Sequence, residues 1–222
     1  MTQRPRVVVF DVLETLLDLT PLAARFEAVG QPPDRLEPWF MRFQRDAMAL
    51  TLAGDAAPFE AVAREALRTE TQHTISEADI DHILAGFATL PTFDDAAPAL
   101  RTLSQAGVGV ACLTVGDPDN TRRFLDGAGL AGFVDHVITA QGAGVWKPHP
   151  AIYRYAAAQA GTPIDRMALV AVHAWDCHGA KRAGALAGWC ARLEGRPGDV
   201  FLPPDVTGQR LDEVARGLLS LS

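Results

Sequence analysis

The chain has 222 residues, 48% of them hydrophobic, enough to bury a sizeable core and too many for a disordered polymer. Its formal net charge of -7 argues against a nucleic-acid groove or an anionic membrane surface, so any anion site must carry its positive charge locally. The three cysteines, Cys112, Cys177 and Cys190, lack the spacing of a zinc knuckle or a CxxC redox pair, and no run is apolar enough to span a bilayer.

"MTQRPR" leads into a strand-like run with no apolar signal segment, and the expectation is a reduced, cytoplasmic chain with buried thiols. "RVVVFDVL" is short, β-branched and apolar on both faces, as a central strand of a parallel sheet must be. From residue 19 to residue 90 the pattern changes to helices: "TPLAARFEAV", "PWFMRFQRDAMALTLAG", "PFEAVAREALRTE" and "SEADIDHILAGFATL". Ser76 with Asp79 marks an N-cap for the last of these, and Gly54 a stop for the second. Strand-like runs resume at "GVGVACLTV", "FVDHVITA", "MALVAVHA" and, more weakly, "GWCARL". The first three are followed by the helical patterns "DPDNTRRFLDGAGL", "KPHPAIYRYAAAQAG" and "DCHGAKRAGALAG". "EGRPGDVFLPP" reads as a loop before a last helix, "TGQRLDEVARGLLSL".

This alternation predicts an α/β fold: a doubly wound, mostly parallel, Rossmann-like sheet built from residues 1–18 and 91–222. Residues 19–90 are expected to form an inserted helical-bundle cap over the strand ends, where ligands bind in such sheets.

Chemistry-bearing residues gather at four strand ends. Asp11 ends the first strand with Thr15 one turn later; it is either a helix cap or a carboxylate nucleophile held by hydroxyls and a cation. Thr114 ends the second, followed by Asp117 or Asp119 as a cap, so that a hydroxyl and exposed N–H groups offer an anion site. "VWKPHPAIY" places Lys147 before a proline and Tyr153 on the next helix. "VHAWDCHGA" supplies His173, Trp175, Asp176 and His178; a metal site there is disfavoured, because His178 falls within the helix and no further ligand cluster is evident.

Asp11 with Thr15, Thr114, Lys147-Pro148 and Asp176, in this order on successive strand ends, resemble the four motifs of the haloacid dehalogenase superfamily, cap included. Phosphatases of that superfamily carry a second aspartate two residues after the nucleophile, where this chain has Leu13, and further metal-holding acids in the fourth motif, where it has Asp176 alone. The type II (L-2-) haloacid dehalogenases lack both, and the resemblance is to that branch. It implies hydrolysis of short 2-haloalkanoic acids such as haloacetates to 2-hydroxy acids through an aspartyl ester, with water as co-substrate and neither metal nor other cofactor; the choice among chloride, bromide and fluoride, and so fluoroacetate, stays open. Thr15 would orient Asp11, Thr114 and backbone N–H groups would bind the substrate carboxylate, and Lys147 would counter the charge. Tyr153 would add a hydrogen bond, and Asp176 with His173 would place the hydrolytic water. Val12, Leu13, Val115 and Trp175 would line the pocket. A homodimer is a further expectation of the resemblance.

Four positions depart from the best-known members. Glu14 stands for a glycine, Val115 for the asparagine that helps cradle the departing halide, and His173 for an asparagine. The family's cap arginine, a second halide contact, aligns with Phe40 in the register set by Trp39, and a slipped register offers Arg42 or Arg45. Trp39, Phe40, Phe43 and Phe59 are expected as cap core and pocket wall. Two other readings stand beside the dehalogenase: a hydrolase of the same fold acting on a phosphate ester, and a catalytically idle binding protein.

Overall fold

Strand β1 (Val7–Asp11) is buried along its whole length, which is what a strand apolar on both faces requires. In the computed structural model, which describes residues 3–116 and 118–222, it lies at the centre of a six-stranded sheet. The other strands are β2 (Gly109–Thr114), β3 (His136–Thr139), β4 (Met167–Ala171), β5 (Leu186–Cys190) and β6 (Val206–Gly208). Their order is β3-β2-β1-β4-β5-β6, and every pairing is parallel.

Alternate residues of β1 face opposite layers. Val8 and Phe10 join the core that includes α5 (Ala96–Gln105) and α10 (Leu211–Leu219), whereas Val7 and Val9 join the core of α8 (Pro150–Gln159) and α9 (Ala174–Ala183). Two further helices, α6 (Pro118–Gly127) and the short α7 (Ala140–Ala143), flank β3. Helix α5 and strand β6 do not follow from the patterns read above; Thr207 and Gly208, expected to open the last helix, pair as part of β6 instead, and that helix, α10, begins at Leu211.

Between β1 and α5 lie helices α1 (Leu22–Ala28), α2 (Leu36–Leu52), α3 (Phe59–Glu70) and α4 (Glu77–Leu84). Ser76 accepts from the Asp79 N–H at 3.2 Å at the start of α4, and Gly54 adopts φ 82° just past α2. Their shared core is aromatic: Trp39 is fully buried, donates its indole N–H to the Ala63 carbonyl at 3.0 Å and packs on Phe26 and Phe87. Phe43 meets Trp146 of the sheet unit edge-on at 5.6 Å, so one hydrophobic cluster runs from the helices into the sheet. All three cysteines are free and buried, and burial pushes the Cys112 thiol up to about 12. No helix among the described residues is long and apolar enough to cross a membrane.

Candidate active site

Asp11 is the last residue of β1, and the chain beyond it folds straight back. The N–H groups of Leu16 and Leu17 both donate to the Val12 carbonyl, and Glu14 takes a left-handed φ of 65°. That turn returns Thr15 to Asp11, where its hydroxyl donates to Oδ2 at 2.7 Å while accepting from the Val172 N–H at 3.2 Å. Arg192 fixes the turn from outside: it grips Asp95 through both carboxylate oxygens, at 2.9 and 2.8 Å, and donates to the Thr15 carbonyl at 2.7 Å.

The ammonium of Lys147, 3% exposed, donates to Asp11 Oδ1 at 2.7 Å and to Asp176 Oδ2 at 2.9 Å. Burial by itself lowers its pKa, but the two carboxylates more than reverse that and hold it above the ordinary lysine value. Asp176, in the first turn of α9, is fully buried, and its Oδ1 accepts from the Tyr153 hydroxyl at 2.5 Å. Burial raises the Asp176 carboxyl above its ordinary value, with Lys147 pulling the other way. At the start of α9 the Ala174 N–H donates to Glu194 at 2.9 Å, while both Asp176 oxygens turn into the site.

His173, 6% exposed, presents Nε2 to Glu14 Oε2 at 2.8 Å and Nδ1 toward Asp11 Oδ2 at 3.9 Å, with its ring tilted on Trp175. Burial lowers its pKa, while the Glu14 hydrogen bond and the charge of Asp11 raise it further, so that it sits above the ordinary 6.5. His178 points elsewhere, accepting from the Leu202 N–H at 2.9 Å. Among the described residues no group of three His, Cys, Asp or Glu side chains could hold a metal ion.

A cavity of about 30 Å³ lies over Asp11. The sheet unit contributes Leu13, Val115, Trp146, Lys147, His173 and Trp175, and α2 contributes Phe40, Phe43, Gln44, Ala47 and Met48. Thr114 is brought close in the chain but turned aside: its hydroxyl accepts from the Gly116 N–H at 3.0 Å, and it lines a neighbouring cavity of about 50 Å³ with Val12, Leu13 and Asn120. Of its two candidate caps, Asp119 pairs with Arg122 at 2.8 Å and Asp117 lies outside the described residues.

The arginine expectation is corrected. Arg42 is paired with Glu70 on α3, Arg45 is paired with Asp46, and neither lines the cavity, whereas Phe40 does. The physical reason is helical phase: Phe40, Phe43, Gln44, Ala47 and Met48 form one i, i+3, i+4, i+7, i+8 stripe, which Arg42 and Arg45 fall outside. Accordingly Arg42→Ala should leave catalytic constants within about twofold and cost at most about 1 kcal/mol of stability, the worth of a partly exposed ion pair. Steady-state kinetics and denaturant unfolding check this. Gln44 and the Glu14 contact to His173 were not foreseen; the same stripe carries the signal for Gln44.

The comparison with family models now decides the family: residues 5–184 match the haloacid dehalogenase-like hydrolases. The chain belongs to that hydrolase family. It is 29% identical to (S)-2-haloacid dehalogenase 4A of Burkholderia cepacia over 189 residues, 83% of this chain and 82% of that one. It is 32% identical to phosphoserine phosphatase of Thermus thermophilus over 208 residues, 90% of this chain and 80% of that one. In fold it resembles L-2-haloacid dehalogenase of Xanthobacter autotrophicus, solved with chloropropionic acid covalently bound, with a TM-score of 0.89, 24% identity and coverage of 98% and 100%. The fold class read from the sequence is thus that of the family, a parallel sheet between helical layers.

Proposed function

We propose that this hydrolase cleaves the carbon–halogen bond of short 2-haloalkanoic acids by way of an ester on Asp11. The observation that carries the reading is Asp11 itself: Thr15 holds Oδ2, Lys147 holds Oδ1, and the carboxylate opens on a small, largely apolar cavity. An oxygen of Asp11 attacks the carbon bearing the halogen from the side opposite the leaving halide, with inversion, and leaves an ester. Water then attacks the Asp11 carboxyl carbon, the 2-hydroxy acid departs, and the proton leaves with the halide. Lys147 counters the charge of Asp11 and of the incoming acid, and Tyr153 and Asp176 hold the lysine in place. Phe40, Trp175 and the Gln44 amide take over the halide end, where Val115 and Phe40 cannot supply the family's asparagine and arginine. The small cavity favours the shortest acids.

The similarity to a phosphoserine phosphatase motivates a second reading, a phosphate ester hydrolase. Against it stands Leu13, buried where a general acid would protonate the departing alkoxide, and a single lysine already committed to two carboxylates. Single turnover in heavy-oxygen water separates the ester route from direct attack of water on the carbon bearing the halogen. The label is expected in Asp11 after one cycle; label passing directly to product would remove the ester, and phosphate release from an ester panel would favour the second reading.

A further inference from the structure

Glu14 and His173 belong to the site but not to the minimal chemistry above. Glu14 holds a backbone conformation that suits glycine, at a cost of order 1 kcal/mol for any other residue, and its carboxylate does one visible thing, accepting from His173 at 2.8 Å. An ionised carboxylate can only accept, so His173 Nε2 carries the proton of that bond and Nδ1 is left facing Asp11 Oδ2. The 3.9 Å gap is too long for a direct bond and short enough for one water to touch both the ring nitrogen and the Asp11 carboxyl carbon. Asp176 is worse placed for that role: its two oxygens already accept from Lys147 and Tyr153, and it is fully buried.

We infer that His173 is the general base of ester hydrolysis and that Glu14 is its positioning residue. The inference rests on the ester route proposed above. His173 Nδ1 takes a proton from water as the water oxygen bonds to Asp11 Cγ. The tetrahedral intermediate then collapses with cleavage of the Cγ–O(alkyl) bond, and the departing alkoxide recovers that proton from the imidazolium. The 2-hydroxy acid leaves, and the new carboxylic acid of Asp11 gives its proton through His173 to solvent.

The surroundings suit the timing. Facing the ring are Glu14, Asp11 and Asp176, with Lys147 bonded to the latter two. Together they hold the free enzyme's imidazole in its protonated form to higher pH than usual, although burial opposes this. Esterification removes the charge of Asp11, and with it one of the influences that raise the ring, so the lone pair is freed when a base is needed.

The test is rapid-quench halide release and intact-protein mass after mixing with bromoacetate and (S)-2-chloropropionate. Wild type serves as control: no halide from wild type would fail the ester reading itself, before the base is in question. His173→Ala is expected to release one equivalent of halide in a burst, to gain the mass of the acid as an adduct, and to turn over about 10²–10⁴-fold more slowly. Glu14→Gln should slow adduct hydrolysis by a smaller factor and move the rising limb of its pH profile to lower pH, because a raising influence on His173 is gone. Glu14→Gly, which relieves the backbone, should show the same kinetic defect in a protein no less stable than wild type. Turnover of His173→Ala near wild type, loss of its burst together with turnover in a folded protein, or an unmoved pH limb in Glu14→Gln would each overturn the inference.

Discussion

Lys147→Met is expected to cost roughly 3–5 kcal/mol of stability at neutral pH, the penalty for breaking a buried ion pair by removing one partner. The ammonium is the shared cation of Asp11 and Asp176, and methionine fills its volume without its charge, leaving two buried carboxylates facing each other. Turnover should fall at least about 10³-fold, since the group that counters charge at the reacting carboxylate is lost. The pH dependence has a definite sign. Burial already raises the Asp176 carboxyl, and without the lysine it is raised further, so the folded variant binds its proton more tightly than the unfolded chain does. Its stability is therefore greatest in acid and is lost as pH rises through the folded-state value. Urea midpoints of the variant at mildly acidic and neutral pH measure this; a variant as stable as wild type at neutral pH would contradict it.

Gly179→Ala should disable the site from behind. A Cβ at this position of α9 would stand 2.7 Å from Pro148 Cβ, 2.7 Å from the Tyr153 hydroxyl and 2.8 Å from the Pro148 carbonyl oxygen. Two of those three contacts are with the proline next to Lys147, so neither a rotamer change nor a small side-chain shift relieves them; α9 must move from α8, carrying Asp176 off Lys147 and Tyr153. The expected cost is about 1–3 kcal/mol for overpacking, with a loss of about 10²-fold in kcat from the displaced constellation. Thermal unfolding and steady-state kinetics report both, and unchanged kinetics would mean that α9 and the Lys147 segment tolerate separation.

Much of this architecture is legible in the residues. The runs ending in Asp11, Thr114 and Val172 are apolar on both faces, so they could only be buried parallel strands, and the chemistry follows at their ends because loops there are the exposed part of such a sheet. The stripe Phe40, Phe43, Gln44, Ala47 and Met48 is one helix face, but periodicity alone does not say that this face, rather than the one bearing Arg42 and Arg45, meets the cavity; the packing of α2 against the sheet unit decides that. Helix α5 carries the same kind of signal in Ala96, Ala99, Leu100 and Leu103, all buried. Strand β6 does not: its three residues, Val206–Gly208, sit at the sheet edge, none is fully buried, and they exist as a strand only by pairing with β5. The Glu14–His173 contact is beyond sequence pattern altogether, because it joins residues 159 apart through the left-handed turn at Glu14. Thr114 shows the limit from the other side. Its place at a strand end was clear, but which way its hydroxyl turns was settled by a local bond to Gly116.

The central claim is that Asp11 is a nucleophile toward carbon, and halide release tests it most directly. Chloro-, bromo- and fluoroacetate and both enantiomers of 2-chloropropionate are offered to wild type and to Asp11→Asn without added metal, and free halide is measured. The account predicts release by wild type, ranked by leaving group and chain length, that vanishes in Asp11→Asn. Release that persists in Asp11→Asn, or a wild-type protein silent across the whole panel, would contradict it.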